Sequence, residues 1–102
     1  MYKKINAVDA KKIMDHNDDI YIVDVREEDE LIEGYIENSI LIPLDSINKL
    51  ALQLIPDKEK TTLVYCRSGK RSAVAAKELN KMGYNNIIDF GGILDWPFEK
   101  IL

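Results

Sequence analysis

The residues that could do chemistry are gathered in one stretch, Cys66-Arg67-Ser68-Gly69-Lys70-Arg71-Ser72, which holds the chain's single cysteine. It separates an apolar run, Leu63-Val64-Tyr65, from a segment of helical pattern that begins near Ser72. A thiol at the end of a buried strand, followed by a glycine-containing loop and a helix N-terminus, lies where several backbone N–H groups converge on an anion. The reactive form of cysteine is the thiolate, and a free thiol with a pKa near 8.5 is only about 3% ionised at neutral pH. A helix terminus alone contributes about 0.3 to 1 kcal/mol to such an anion. The loop amides and Arg67, Lys70 and Arg71 are expected to add to it. A cysteine that merely filled core volume would need neither the glycine nor the cations that follow it. The stretch is therefore read as a nucleophile, Cys66, on an anion-binding loop formed by Arg67, Ser68, Gly69, Lys70, Arg71 and Ser72.

Spacing narrows the anion. Four residues separate Cys66 from Arg71, whereas the phosphate-binding loop of a cysteine phosphatase is one residue longer. A shorter loop closes fewer amides over its centre, which suits a single sulfur atom on Cys66 better than a tetrahedral phosphoryl or arsenate group. Charge points the same way. The chain of 102 residues has a net charge of −4 and a pI of about 4.9, which argues against nucleic acid or an anionic membrane as partner. Yet no acidic residue lies between Glu59 and Glu78, a window that holds Lys60, Arg67, Lys70, Arg71 and Lys77. The expected partner of that window is a small anion. One cysteine and one histidine, His16, cannot build a structural zinc site, and neither a metal nor a cofactor is expected. A single cysteine cannot form an internal disulfide. The first residues form no signal-peptide apolar block and no run approaches a membrane span, so a reducing, cytoplasmic setting is expected.

These residues must be positioned by the elements around them. Tyr2 to Ile5 reads as an edge strand, and Asn6 with Asp9 as the cap of a helix carrying Ala10, Ile13 and Met14. Ile20-Tyr21-Ile22-Val23 is apolar without alternation, the pattern of a strand covered on both faces, and Asp24 closes it. Glu27 to Ile32 reads as a short acidic helix with a solvated face, ended by Gly34. Ser39 to Ile42 is a strand stopped by Pro43, and Asp45 is placed to cap a helix carrying Ile47, Leu50 and Leu54. Thr61 to Tyr65 is the strand that delivers Cys66. Beyond the loop, Ala75, Leu79 and Met82 recur as one helical face, Gly83 stops that helix, and Ile87-Ile88 is a last strand. Gly91-Gly92 then leads into a short helix with Ile93, Leu94 and Trp96. Alternating strands and helices give an α/β fold. In such folds strand carboxyl ends line the ligand crevice, which brings Asp24 and Arg26 to the edge that holds Cys66. Asp24 is expected to fasten the loop through Arg71 or the loop amides, or else to form a turn, and Arg26 to brace nearby glutamates or face the substrate. Tyr84 and Phe98 are candidates for a partner surface.

Three blocks, in order, carry a family resemblance. The first is Asp24-Val25-Arg26-Glu27 with Gly34-Tyr35-Ile36 and Ile42-Pro43-Leu44, the second Cys66 to Ser72, and the third Gly83-Tyr84-Asn85-Asn86-Ile87 through Gly91-Gly92-Ile93 and Trp96. Together they resemble the signatures of the rhodanese domain, the thiosulfate-type sulfurtransferase family. The resemblance implies a single rhodanese-like domain over residues 1–102, with a mainly parallel sheet of four to five strands flanked by helices. It also implies a two-step reaction. Cys66 would take sulfane sulfur from a small anionic donor such as thiosulfate and hold it as a persulfide. It would then pass the sulfur to an external thiol, cyanide or a protein, with Lys70 and Arg71 drawing in the donor. Tyr35 stands where family members usually have His, and Glu37-Asn38 where they have Pro-Gly. The competing readings are a persulfide carrier or regulatory module serving a protein partner and, more distantly, a cysteine phosphatase or arsenate reductase.

Overall fold

The computed structural model describes residues 2–102. After the short strand Lys3–Lys4 (β1), Asn6 stands in extended backbone and its Oδ1 accepts the Asp9 N–H at 2.8 Å. This is the cap expected from that pair, and it opens the helix Ala7–His16 (α1). The apolar runs become strands: Ile20–Asp24 (β2), Ser39–Leu41 (β3), Thr61–Cys66 (β4) and Ile87–Gly92 (β5). They form one sheet in the order β1-β5-β4-β2-β3, and every neighbouring pair is parallel. Helices Ile47–Leu54 (α2) and Lys70–Lys81 (α3) complete the layers.

Side chains alternate across the central strands, so each strand serves two cores. Val23, Val25, Val64, Cys66 and Ile87 pack with Ile47, Ala51 and Ile55 from the α2 region and with Ala75, Ala76 and Leu79 of α3. Ile22, Leu63, Tyr65 and Phe90 point the other way, into a cluster with Ala10 of α1, Ile36, Ile93 and Trp96. The small Ala75 and Ala76 let α3 lie close to the sheet. Its far end closes as expected at Gly83, where the Tyr84 N–H reaches back to the Leu79 carbonyl at 3.1 Å. Among the described residues no helix is long and apolar enough to cross a membrane.

Several expectations shift by a turn or a partner. α3 starts at Lys70 instead of near Ser72, because Gly69, at φ +105°, reverses the chain immediately after the loop. The acidic segment is a 3-10 helix, Glu28–Glu33, in which the Glu27 N–H donates to Glu30 Oε2 at 2.7 Å. Asp45 does not cap α2: it lies inside a 3-10 turn, Leu44–Ser46, and the N-cap position falls to Ser46, whose side chain makes no capping bond. Trp96 follows the last 3-10 turn, Ile93–Asp95, instead of joining it. Tyr84 is no partner surface, since it is buried and its O–H donates to the Ile55 carbonyl at 2.7 Å. Phe98 is half-buried edge-on against Trp96, with ring centroids 5.1 Å apart. Asn38 takes the left-handed φ of +70° that a glycine would supply, a conformation Asn tolerates better than most residues.

The largest fully buried side chain is that of Arg26. Its Nε and Nη2 donate to both carboxylate oxygens of Asp24 at 2.8–3.1 Å, and Nη2 also donates to the Gly34 carbonyl at 2.9 Å. Burial works against the guanidinium charge, but the hydrogen bonds and charge of Asp24 outweigh it and raise the Arg26 pKa. A buried pair of this kind is costly to break from one side. Arg26→Met is expected to destabilise the protein by about 3–5 kcal/mol in urea unfolding, because Asp24 is left charged and unpaired. Adding Asp24→Leu to that variant should recover most of the loss.

Candidate active site

β4 ends with Tyr65 on the α1 side of the sheet and Cys66 on the α3 side, so the period of the strand itself aims the thiol at the start of α3. The loop Arg67-Ser68-Gly69 then folds back over the sulfur. Cys66 Sγ accepts the Gly69 N–H at 3.0 Å and the Ser72 N–H at 3.3 Å. The amides of Arg67, Ser68, Lys70 and Arg71 bond to no other described residue. Those of Lys70 and Arg71 belong to the first turn of α3, where a helix has no acceptor of its own for its N–H groups. The result is a buried sulfur that accepts two backbone N–H groups where the loop enters α3.

What lets the loop sit so low is β5. The pairing between β4 and β5 runs in register to Val64–Asp89 and resumes at Cys66–Gly92, so β5 carries one extra residue, a bulge beside the site. A Cβ on Gly92 would lie 2.1 Å from the Arg67 carbonyl oxygen and 2.6 Å from Ser68 Cα. Only a residue without a side chain fits beneath the loop. The Leu94 N–H then fastens the Arg67 carbonyl from above at 3.1 Å. On the helix side, Ser72 Oγ lies 2.8 Å from Asp89 Oδ1 and 3.2 Å from the Gly69 carbonyl.

The charges fall differently from expectation. Asp24 does not reach Arg71 or the loop amides; it is consumed by Arg26. Arg26 does not face the mouth of the site, being wholly buried, and it braces the acidic 3-10 segment by its backbone, not its glutamate side chains. Arg71 is held by Glu30 of that segment in a two-pronged pair at 2.6 and 2.8 Å. The hydrogen bond from Arg71, against some burial, pulls the Glu30 pKa down to about 2, and Glu30 in turn raises that of Arg71. Arg67 and Lys70 are exposed at the mouth, Arg67 with only a 3.9 Å contact to Glu33. Ser68 is exposed between them. Sequence reasoning therefore missed Glu30, whose acidic neighbours disguised it as part of a solvated face, and Gly92, for which the paired glycines were the available signal. No three His, Cys, Asp or Glu side chains among the described residues gather as a metal would require.

The contacts make two checks direct. Gly92→Ala must displace the loop and should slow alkylation of Cys66 by iodoacetamide roughly tenfold or more, as misplacement of a reacting group does. Gly91→Ala, with nothing within 4 Å of the added carbon, brings only the strain of its φ of +91° and should leave most of that rate. Glu30 is a carboxylate of depressed pKa, so its contribution to stability is present above its unfolded value near 4.5 and is lost as pH falls through about 2. Across that window the slope of unfolding free energy against pH should decrease by up to about one proton in Glu30→Gln.

Comparison with known proteins agrees with this architecture. Residues 6–97 match the rhodanese-like domain family. The chain is 32% identical over 79 residues to the thiosulfate sulfurtransferase PspE of Escherichia coli, covering 78% of this chain and 76% of that one. It is 32% identical over 97 residues to the thiosulfate sulfurtransferase GlpE of Coxiella burnetii, with coverages of 94% and 88%. The crystal structure of a rhodanese-related protein from Thermoplasma volcanium superposes with a TM-score of 0.85 at 35% identity, covering 99% of each chain. With its five parallel strands and the thiol held at the turn from β4 into α3, the chain belongs to the rhodanese-like domain family.

Proposed function

We propose that the protein is a sulfurtransferase that carries sulfane sulfur on Cys66, with thiosulfate or a donor of like charge as its source. The observation that carries this reading is the pair of N–H bonds to Cys66 Sγ from a loop whose other amides have no partner among the described residues. Such a cradle stabilises a sulfur anion in two successive forms, the thiolate and the terminal sulfur of a persulfide. In the first step a thiolate lone pair attacks the outer sulfur of thiosulfate. The S–S bond of the donor breaks, its electron pair leaves with sulfite, and Cys66 carries one added sulfur. In the second step a nucleophilic acceptor such as cyanide takes that sulfur, and the electron pair of the S–S bond returns to Cys66 as thiolate. Arg67 and Lys70, exposed at the mouth, draw in the dianion, while Arg71 contributes through a charge already shared with Glu30.

A phosphatase or arsenate reductase is disfavoured by the four-residue spacing between Cys66 and Arg71. The lone cysteine leaves a protein or small-molecule thiol as the other acceptor class. Intact mass should rise by one sulfur atom on incubation with thiosulfate and return on addition of cyanide, with thiocyanate released; Cys66→Ser should show neither change. Absence of any adduct, together with turnover of an aryl phosphate, overturns the proposal. Rapid loading with slow discharge to cyanide replaces the enzyme with a carrier for a protein acceptor.

A further inference from the structure

Asp89 is wholly buried, and its two oxygens are used unequally. Oδ1 stands 2.8 Å from Ser72 Oγ and accepts the Gly91 N–H at 2.9 Å, while Oδ2 has no hydrogen-bond partner among the described residues. A buried polar oxygen without a partner destabilises a fold, so a residue retained only to fill this space would be apolar. The carboxylate is better explained by what Oδ1 joins. Ser72 is in the first turn of α3 and its N–H is one of the two donors to Cys66 Sγ. Gly91 is in the bulge of β5 that lets Gly92 pass beneath Arg67 and Ser68. Asp89 itself is fixed on both sides, paired in register with Lys4 of β1 and Val64 of β4, and its carbonyl accepts the Ile5 N–H at 3.0 Å.

We propose that Asp89 is a positioning residue for the nucleophile: through Oδ1 it ties the start of α3 to the bulge of β5, and so sets the Ser72 N–H on Cys66 Sγ. This rests on the reading of Cys66 as the nucleophile. The other charges around the loop are Arg71 with its partner Glu30 and the nearby Glu27, Arg67 beside Glu33, Lys70, and Lys4 and Asp95, which line a cavity with Ser68, Gly69 and Lys70, while Asp24 is neutralised by Arg26. None of them touches Ser72 Oγ. Asp89→Asn keeps an acceptor at Oδ1 and places an uncharged amide where Oδ2 lies; Asp89→Ala removes the tie altogether. Ser72→Ala removes it from the helix side while keeping the amide.

The test is iodoacetamide alkylation of Cys66 across a pH series, read on variants shown to be folded by circular dichroism. The ratio of the rate at neutral pH to the plateau at high pH reports the thiolate population independently of access. That ratio should fall by about fivefold or more in Asp89→Ala, by a similar factor in Ser72→Ala, and no further in the double variant. In Asp89→Asn it should stay within about twofold of the parent protein. A residue that only held the fold together would lower the melting temperature and leave the ratio unchanged in the folded protein, and that result in Asp89→Ala or, if it does not fold, in Ser72→Ala overturns the proposal. The measurement uses no sulfur donor. Failure of thiosulfate to load the parent protein would therefore count against the sulfur-transfer reading alone.

Discussion

A buried ion pair underlies the placement of Glu30 and, through it, of Arg71. Taking Asp24 and Arg26 out of water is tolerable only because the guanidinium finds both carboxylate oxygens and a backbone carbonyl at once. That carbonyl belongs to Gly34, at the end of the acidic 3-10 segment, and Arg26 also lies 3.4 Å from the Glu30 carbonyl within it. The segment is thereby anchored to the end of β2 by its backbone. Its Glu30 side chain is left to hold Arg71, and Arg71 stands in the first turn of α3. Order passes from β2 to the nucleophile loop through two salt bridges in series, one buried and one half-exposed.

The second structural axis is geometric. Burial on both faces makes β4 an apolar strand, and the alternation of its side chains sends Tyr65 to one core and Cys66 to the other. Tyr65 is itself tied down: Ile36 donates its N–H to the phenol oxygen at 3.1 Å, Ser39 Oγ lies 2.8 Å from it, and burial followed by the nearby Asp24 charge pushes the phenol up to about 12. The thiol on the other side of the strand end is wholly buried. The amides then need only to be brought to it, which the reversal at Gly69 and the absence of a side chain at Gly92 accomplish.

Much of this was legible in the residues alone. The strands β2 and β4 announce themselves by unbroken apolar runs, the Asn6 cap by its spacing to Asp9, and the nucleophile by a lone cysteine between a strand and a basic loop. What could not be read was the choice among partners. Asp24 has an arginine two residues away and another at position 71, and sequence spacing does not say which one it meets in space. The acidic cluster at Glu27 to Glu30 hid a site residue because three of its four members are indeed exposed. Register shifts such as the bulge in β5 depend on strand pairing, which local pattern does not encode.

That bulge makes the site a joint between two segments distant in sequence. The extra residue in β5 and the start of the loop after β4 are matched parts of one fitting, since Gly92 lies against the very carbonyl from which the loop departs. A slip in the pairing of β5 would therefore be felt at Cys66 as directly as a change in the loop itself.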